Sequence, residues 1–93
     1  MLLCEHFAVA VARIKRNDSG WIREEDWESF FIHLQMSRDV KRFDEEATLS
    51  FGKRFKVVCT DNSVARFWQE VQIEQTNDTT DTQVLYRVIV EVL

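Results

Sequence analysis

Four side chains in this sequence could bind a soft metal: Cys4, His6, His33 and Cys59. Zinc needs thiolate or imidazole groups that converge within bonding distance. Cys4-x-His6 would put both groups on one face of a strand, yet the chain has no CxxC or HxxxH pair to complete a ligand set. Two small buried cysteines, one surface histidine and one helical histidine beside the core explain the four residues without a metal. No cofactor is expected.

Nucleophilic chemistry needs a nucleophile, a base and an orienting group. Cys59 with a histidine, or Ser63 with Asp61, offers the residue types, but neither sits in a nucleophile elbow or a glycine-rich loop. Asp61 and Ser63 are good helix N-cap types, and capping is the simpler role. Glu24, Glu25, Asp26 and Glu28 could supply a carboxylate pair, but acids cluster at solvated helix starts because the helix dipole favours them there. Gly20 and Gly52 are the only glycines, too few for a phosphate-cradling loop. No catalytic residue is assigned, and binding rather than catalysis is favoured.

Arg13, Lys15 and Arg16 form one basic group and Lys53, Arg54 and Lys56 another. Brought to one sheet edge, they could meet an anionic partner such as RNA. A base-stacking platform also needs exposed aromatics, and the flanking segments offer only Phe7 and Phe55. The net charge is −4, with 12 basic against 16 acidic residues, so no whole-surface attraction to nucleic acid is expected.

The elements that must position these groups are read from periodicity. Residues 53–71 hold the clearest signals. Phe55, Val57 and Cys59 alternate with Lys56, Val58 and Thr60, the period of a strand at 54–60. Asp61, Asn62 and Ser63 break the run. Val64, Phe67, Trp68 and Val71 then follow at helical spacing, which predicts a helix over 63–73. Upstream, Phe7, Val9 and Val11 alternate with Ala8, Ala10 and Ala12, which favours a central strand, although Leu3, Phe7, Ala10, Val11 and Ile14 also fit a helix. Asn17–Gly20 is a turn. Trp27, Phe30, Phe31 and Leu34 predict a helix at 23–37 behind its acidic first turn. Residues 38–46 show no period, 47–51 form a short strand, and Gly52-Lys53 is read as a hairpin turn. Thr76–Thr82 is a polar loop, and 84–93 alternates as the strongest strand.

These elements make one α+β domain over residues 1–93. Their β-α-β-β-α-β order is that of the ferredoxin-like sandwich, two helices on one face of a four-stranded antiparallel sheet with the last strand at an edge. The rival reading has one main helix and a long C-terminal β-hairpin, with 64–75 paired to 82–93. Three Trp and seven Phe supply core volume at this length.

In the sandwich arrangement the first and last strands are apolar on both faces. Ala8, Ala10, Ala12 and Ile14, then Leu85, Ile89 and Leu93, would line a sheet face with no helix over it. That points to a small acidic protein–protein interaction module, an inhibitor, adaptor or regulatory subunit, paired as a homodimer or docked to another protein. A nucleic-acid-binding domain and a small dimeric enzyme or ligand-binding protein with a pocket floored by Trp27, Phe31 and Trp68 are the alternatives. Cys4 and Cys59 are too few and too far apart to read as the disulfide framework of a secreted protein. The opening stretch lacks the charge pattern of a secretory signal and no run is long enough to span a membrane, so a cytoplasmic protein is expected.

Overall fold

The computed structural model describes residues 1–75 and 82–93. The chain runs α1 (Leu3–Ala12), β1 (Ile22–Arg23), α2 (Glu24–Met36), β2 (Val40–Leu49), β3 (Gly52–Cys59), β4 (Val64–Gln75) and β5 (Thr82–Val92). The strands form one antiparallel sheet in the order β1-β5-β4-β3-β2. The α+β class holds, whereas the ferredoxin-like order does not. Apart from Thr82, which begins β5, the expected loop at 76–82 lies outside the described residues.

Three segments depart from expectation. Residues 3–12 form a helix, not a central strand. Cys4, Phe7, Val11 and Ile14 lie three or four apart and meet the core along one stripe, so a helix buries them with a single face. The alanines that read as a small strand face are strong helix formers. Residues 64–75 form the long strand of the rival reading. Ala65 and Phe67 are buried at every second position, and the helical spacing of Val64, Phe67, Trp68 and Val71 does not mark one face. Residues 38–46, read as without period, and the short strand expected at 47–51 fall largely in one strand, β2 (Val40–Leu49). Register shifts between Val40 and Arg42 and between Glu45 and Ala47 break its alternation and hide its period from the sequence.

The short strand β1 was not expected, whereas α2, β3 and β5 lie close to where the sequence puts them. In α2, Trp27 and Leu34 are buried and Phe30 and Phe31 pack against the core. Phe31 sits between Phe43 of β2 and Phe55 of β3, with ring centroids 5.2 and 4.9 Å away in edge-on geometry. Such aromatic contacts add about 0.5–1.5 kcal/mol each beyond the area they bury. They dock α2 onto the β2–β3 half of the sheet. In the Asn17–Gly20 turn, Asn17 Oδ1 accepts from the Ser19 and Trp21 amides, and Gly20 supplies φ +86°.

The β2–β3 turn is Ser50-Phe51, two residues earlier than expected, because Leu49 pairs with Gly52. Gly52 is instead required by sterics: a Cβ there would lie 1.7 Å from the Gln69 carbonyl oxygen on β4. The β3–β4 turn closes through Cys59 N–H to the Ser63 carbonyl, with Asn62 at φ +68°. This is the three-residue hairpin geometry that ends in a left-handed residue, a position asparagine tolerates.

One sheet face packs on the helices through Phe55, Val57, Cys59, Ala65, Phe67 and Val88. By register the opposite face carries Arg54, Lys56, Arg66, Trp68, Glu70, Arg87, Ile89 and Glu91. β5 lies between β1 and β4, so the last strand is not at the sheet's edge as expected. Among the described residues no helix is long and apolar enough to cross a membrane.

Candidate functional site

Two adjoining depressions lie on the helix side of the sheet. The first is a cleft of about 320 Å³ between α2 and the strands, lined by Trp27, Glu28 and Phe31 of α2 and by Lys53, Phe55, Gln69, Val71 and Tyr86 of the sheet. The second, about 430 Å³, shares Lys53, Gln69 and Val71 and continues to Leu49, Phe51 and Ile73 at the far end of the strands. Together they form one groove, aromatic under α2 and lined beyond it by Leu49, Phe51 and Ile73.

Strand pairing explains the groove. β3 ends against β4 at the Gly52–Glu70 pair, while β4 and β5 remain paired out to Gln75 and Thr82. Val71 and Ile73 continue the helix-side parity of Phe67 into this two-stranded extension. The Ser50-Phe51 turn is tied to it by the Val71 N–H, which donates to the Phe51 carbonyl at 2.6 Å. Phe51 is 75% exposed, Ile73 70% and Leu49 53%, so three large apolar side chains rim the depression mostly in water.

The polar groups of the groove are few. Trp27 Nε1 donates to Gln69 Oε1 at 3.0 Å, which fixes the indole against β4. Partial burial, then the charges of Glu24 and Glu28, push the Tyr86 hydroxyl above its ordinary value. Glu24 is itself raised, by desolvation first and then by the neighbouring Glu28 carboxyl. The α2 side of the groove is therefore acidic, whereas Lys53 faces Glu45 at 3.6 Å. An aromatic concavity with a few convergent polar groups is the usual form of a small-ligand or side-chain pocket.

The residues singled out from sequence fall elsewhere. Cys4 and Cys59 do meet, with sulfurs 2.9 Å apart and both residues fully buried. His6 is exposed on α1, and exposed His33 bonds through Nδ1 to the Ser29 carbonyl at 2.6 Å. Among the described residues no three Cys, His, Asp or Glu side chains assemble as a metal site. Burial, reinforced by Cys4, pushes the Cys59 thiol up to about 12, which suits neither a nucleophile nor a ligand at neutral pH.

Asp61 and Ser63 are capping residues, but for α1 rather than for a helix that follows them. Asp61 Oδ2 accepts from the Leu3 amide at 2.9 Å and Ser63 Oγ from the Cys4 amide at 3.2 Å. The Ser63 hydroxyl donates to Asp61 Oδ1 at 2.5 Å. The Ser63 hydroxyl, then the Leu3 and Ser63 amides, hold the Asp61 carboxyl below its ordinary value. In the acidic cluster, Glu25 and Asp26 are held by Arg23 at 3.4 and 3.1 Å.

The two basic groups do not share an edge. Arg13, Lys15 and Arg16 follow α1 beside β1, where Arg16 bridges to Ile22, while Lys53, Arg54 and Lys56 lie on β3, with β5 and β4 between. Arg54 lies over the Trp68 ring at 4.8 Å and 3.7 Å from Glu46, which also holds Arg66 at 2.8 Å. The apolar set is divided as well. Ala8, Ala10 and Ala12 are on α1, and Ile14 is just past it. Leu85 is buried, Ile89 is exposed on the open face, and Leu93 lies beyond β5. Trp68 is on the face opposite the cleft that Trp27 and Phe31 line.

Sequence reasoning missed Leu49, Phe51, Val71, Ile73 and Tyr86 as one surface. Phe51 gave no signal, because a turn expected two residues later made it a strand residue, and only the Leu49–Gly52 pairing puts it at the turn tip. No protein-family model, curated protein or solved structure matches this chain.

Proposed function

We propose that the chain is a protein–protein interaction module that acts by binding, and that the groove between α2 and the extended β4–β5 pair receives apolar side chains of its partner, first of all those of a second copy. The observation that carries this reading is the exposure of Leu49, Phe51 and Ile73 around a depression continuous with the Trp27–Phe31 cleft. Contiguous apolar surface with a polar rim is the usual mark of an interaction site. Edge pairing is a poorer route, because β2 is bulged and carries Lys41, Arg42, Asp44, Glu45 and Glu46. The open face mixes both signs of charge, and Glu46 neutralises two of its cations.

Light scattering over a concentration series tests the reading. The expected result is a dimer that dissociates on dilution and is lost in the Phe51→Ser/Ile73→Ser variant. A monomer at every concentration, together with no change in apolar-dye binding on the double substitution, would refute the groove as an association surface.

A second reading rests on the cleft itself. Its volume and its Trp27–Gln69 anchor suit a small apolar ligand. Saturable quenching of Trp fluorescence by an aromatic fragment, abolished in Phe31→Ala, would support it over association.

A further inference from the structure

The two cysteines have no part in the groove. They lie 55 positions apart, one in the first turn of α1 and the other at the end of β3, and the fold sets their sulfurs 2.9 Å apart. A disulfide bond is about 2.05 Å long, so bond formation requires an approach of under ~1 Å. Both residues are fully buried, and the contact joins the N-terminal helix directly to a central strand. Other ties at that point include the Leu3–Asp61 and Cys4–Ser63 hydrogen bonds and a long contact from the Cys4 thiol to the Val57 carbonyl at 3.9 Å.

We propose that Cys4 and Cys59 are a disulfide-forming pair that clamps α1 to the sheet when the chain meets a low-molecular-weight disulfide such as oxidised glutathione. One cysteine thiolate attacks a glutathione sulfur, the glutathione S–S bond breaks, and one glutathione thiolate leaves. The second cysteine thiolate then attacks the mixed disulfide and expels the other glutathione. Two electrons pass from the protein to the reagent, and the two thiol protons end on the two released glutathiones.

The folded, reduced chain resists this exchange. Neither sulfur has surface for the reagent to reach, and burial suppresses the Cys59 thiolate. The bond therefore forms while the chain folds, or when the first turn of α1 lifts off Asp61 and Ser63. Once formed, it closes a long loop and restricts the unfolded chain.

The test is to denature the reduced protein and refold it with either reduced or oxidised glutathione. The oxidised sample is expected to show no free thiol in denaturant and to stay monomeric under denaturing, non-reducing conditions. A non-reduced digest should link the Cys4 peptide to the Cys59 peptide. Its unfolding temperature should rise on the order of 10 °C or more, and a dithiol reductant should reverse the rise. The native reduced protein should react with a chromogenic disulfide at least 100-fold more slowly than the denatured one. Persistent free thiols, bonds only between chains, or an oxidised form melting no higher than the reduced form would each overturn the proposal. The wild-type comparison needs no variant, and Cys59→Ala, if it folds, should lose the response to oxidant.

Discussion

Replacing Ser63 with alanine tests how α1 is held. Ser63 Oγ accepts the Cys4 N–H at 3.2 Å and donates to Asp61, which accepts the Leu3 N–H at 2.9 Å. Leu2, at the cap position of α1, makes no side-chain cap bond of its own, so the two borrowed side chains hold the first turn. Loss of a serine cap costs about 1 kcal/mol. Cys4 is fully buried, and an N–H left without a partner in such a place raises the cost to roughly 1–3 kcal/mol. A chain of this length has about 5–14 kcal/mol in all. The expected loss is a visible part of that, a fall in unfolding temperature of about 5–15 °C. The assay pairs thermal unfolding with amide hydrogen exchange. Protection should drop at Leu3, Cys4 and Glu5 and stay unchanged in the β4–β5 ladder. Asn62→Gly, which alters the same turn at its left-handed position without touching the cap, should leave α1 protected. If Ser63→Ala left both the melting temperature and the α1 amides unchanged, the capping argument would be wrong.

Gly52→Ala should be severe: its Cβ would meet the Gln69 carbonyl at 1.7 Å and Glu70 Cα at 3.0 Å, both backbone, so β3 and β4 must part. Two or three ladder hydrogen bonds at about 1 kcal/mol each set a loss of roughly 3 kcal/mol, read from the denaturant midpoint. Phe67→Ala empties a core site that is 1% exposed and should cost about 3–5 kcal/mol by the same measurement. Asp61 and Glu46 both have carboxyls lowered on folding, by the Ser63 hydroxyl first and by the Arg66 hydrogen bond first, respectively. The stability each contributes is complete above the ordinary carboxylate value of about 4 and is lost as pH falls through the lowered folded value. Asp61→Asn should therefore flatten the acid limb of stability against pH below about pH 4 while leaving its shape near neutrality unchanged.

The residue types carried much of the local structure. The Trp27-Phe30-Phe31-Leu34 stripe with acids before it has one regular solution, and α2 adopts it. β3 and β5 were equally readable from alternation. Residues 3–12 and 64–75 each satisfied both periods, and local pattern cannot choose between periods when half or more of the positions are apolar. The choice came from what the rest of the sheet could pair. β4 places Phe67 against Phe55 and Ala65 against Val57 on one side and bonds to β5 along its whole length on the other. A helix at 64–75 would have left β5 without that partner.

The same division holds for the candidate sites. Composition and alternation determined a small α+β chain with an aromatic core, and the capping chemistry of Asp61 and Ser63 was legible at once. Which helix they cap was not legible, because the acceptor oxygens and the α1 amides are 58 and 59 positions apart. Nor was the meeting of Cys4 with Cys59, or the joining of Leu49, Phe51 and Ile73 around one groove. Capping preference, helix propensity and strand period act within a few residues and leave their mark in the sequence. Partner choice among distant residues depends on strand order and register, which only the packing of the whole chain decides.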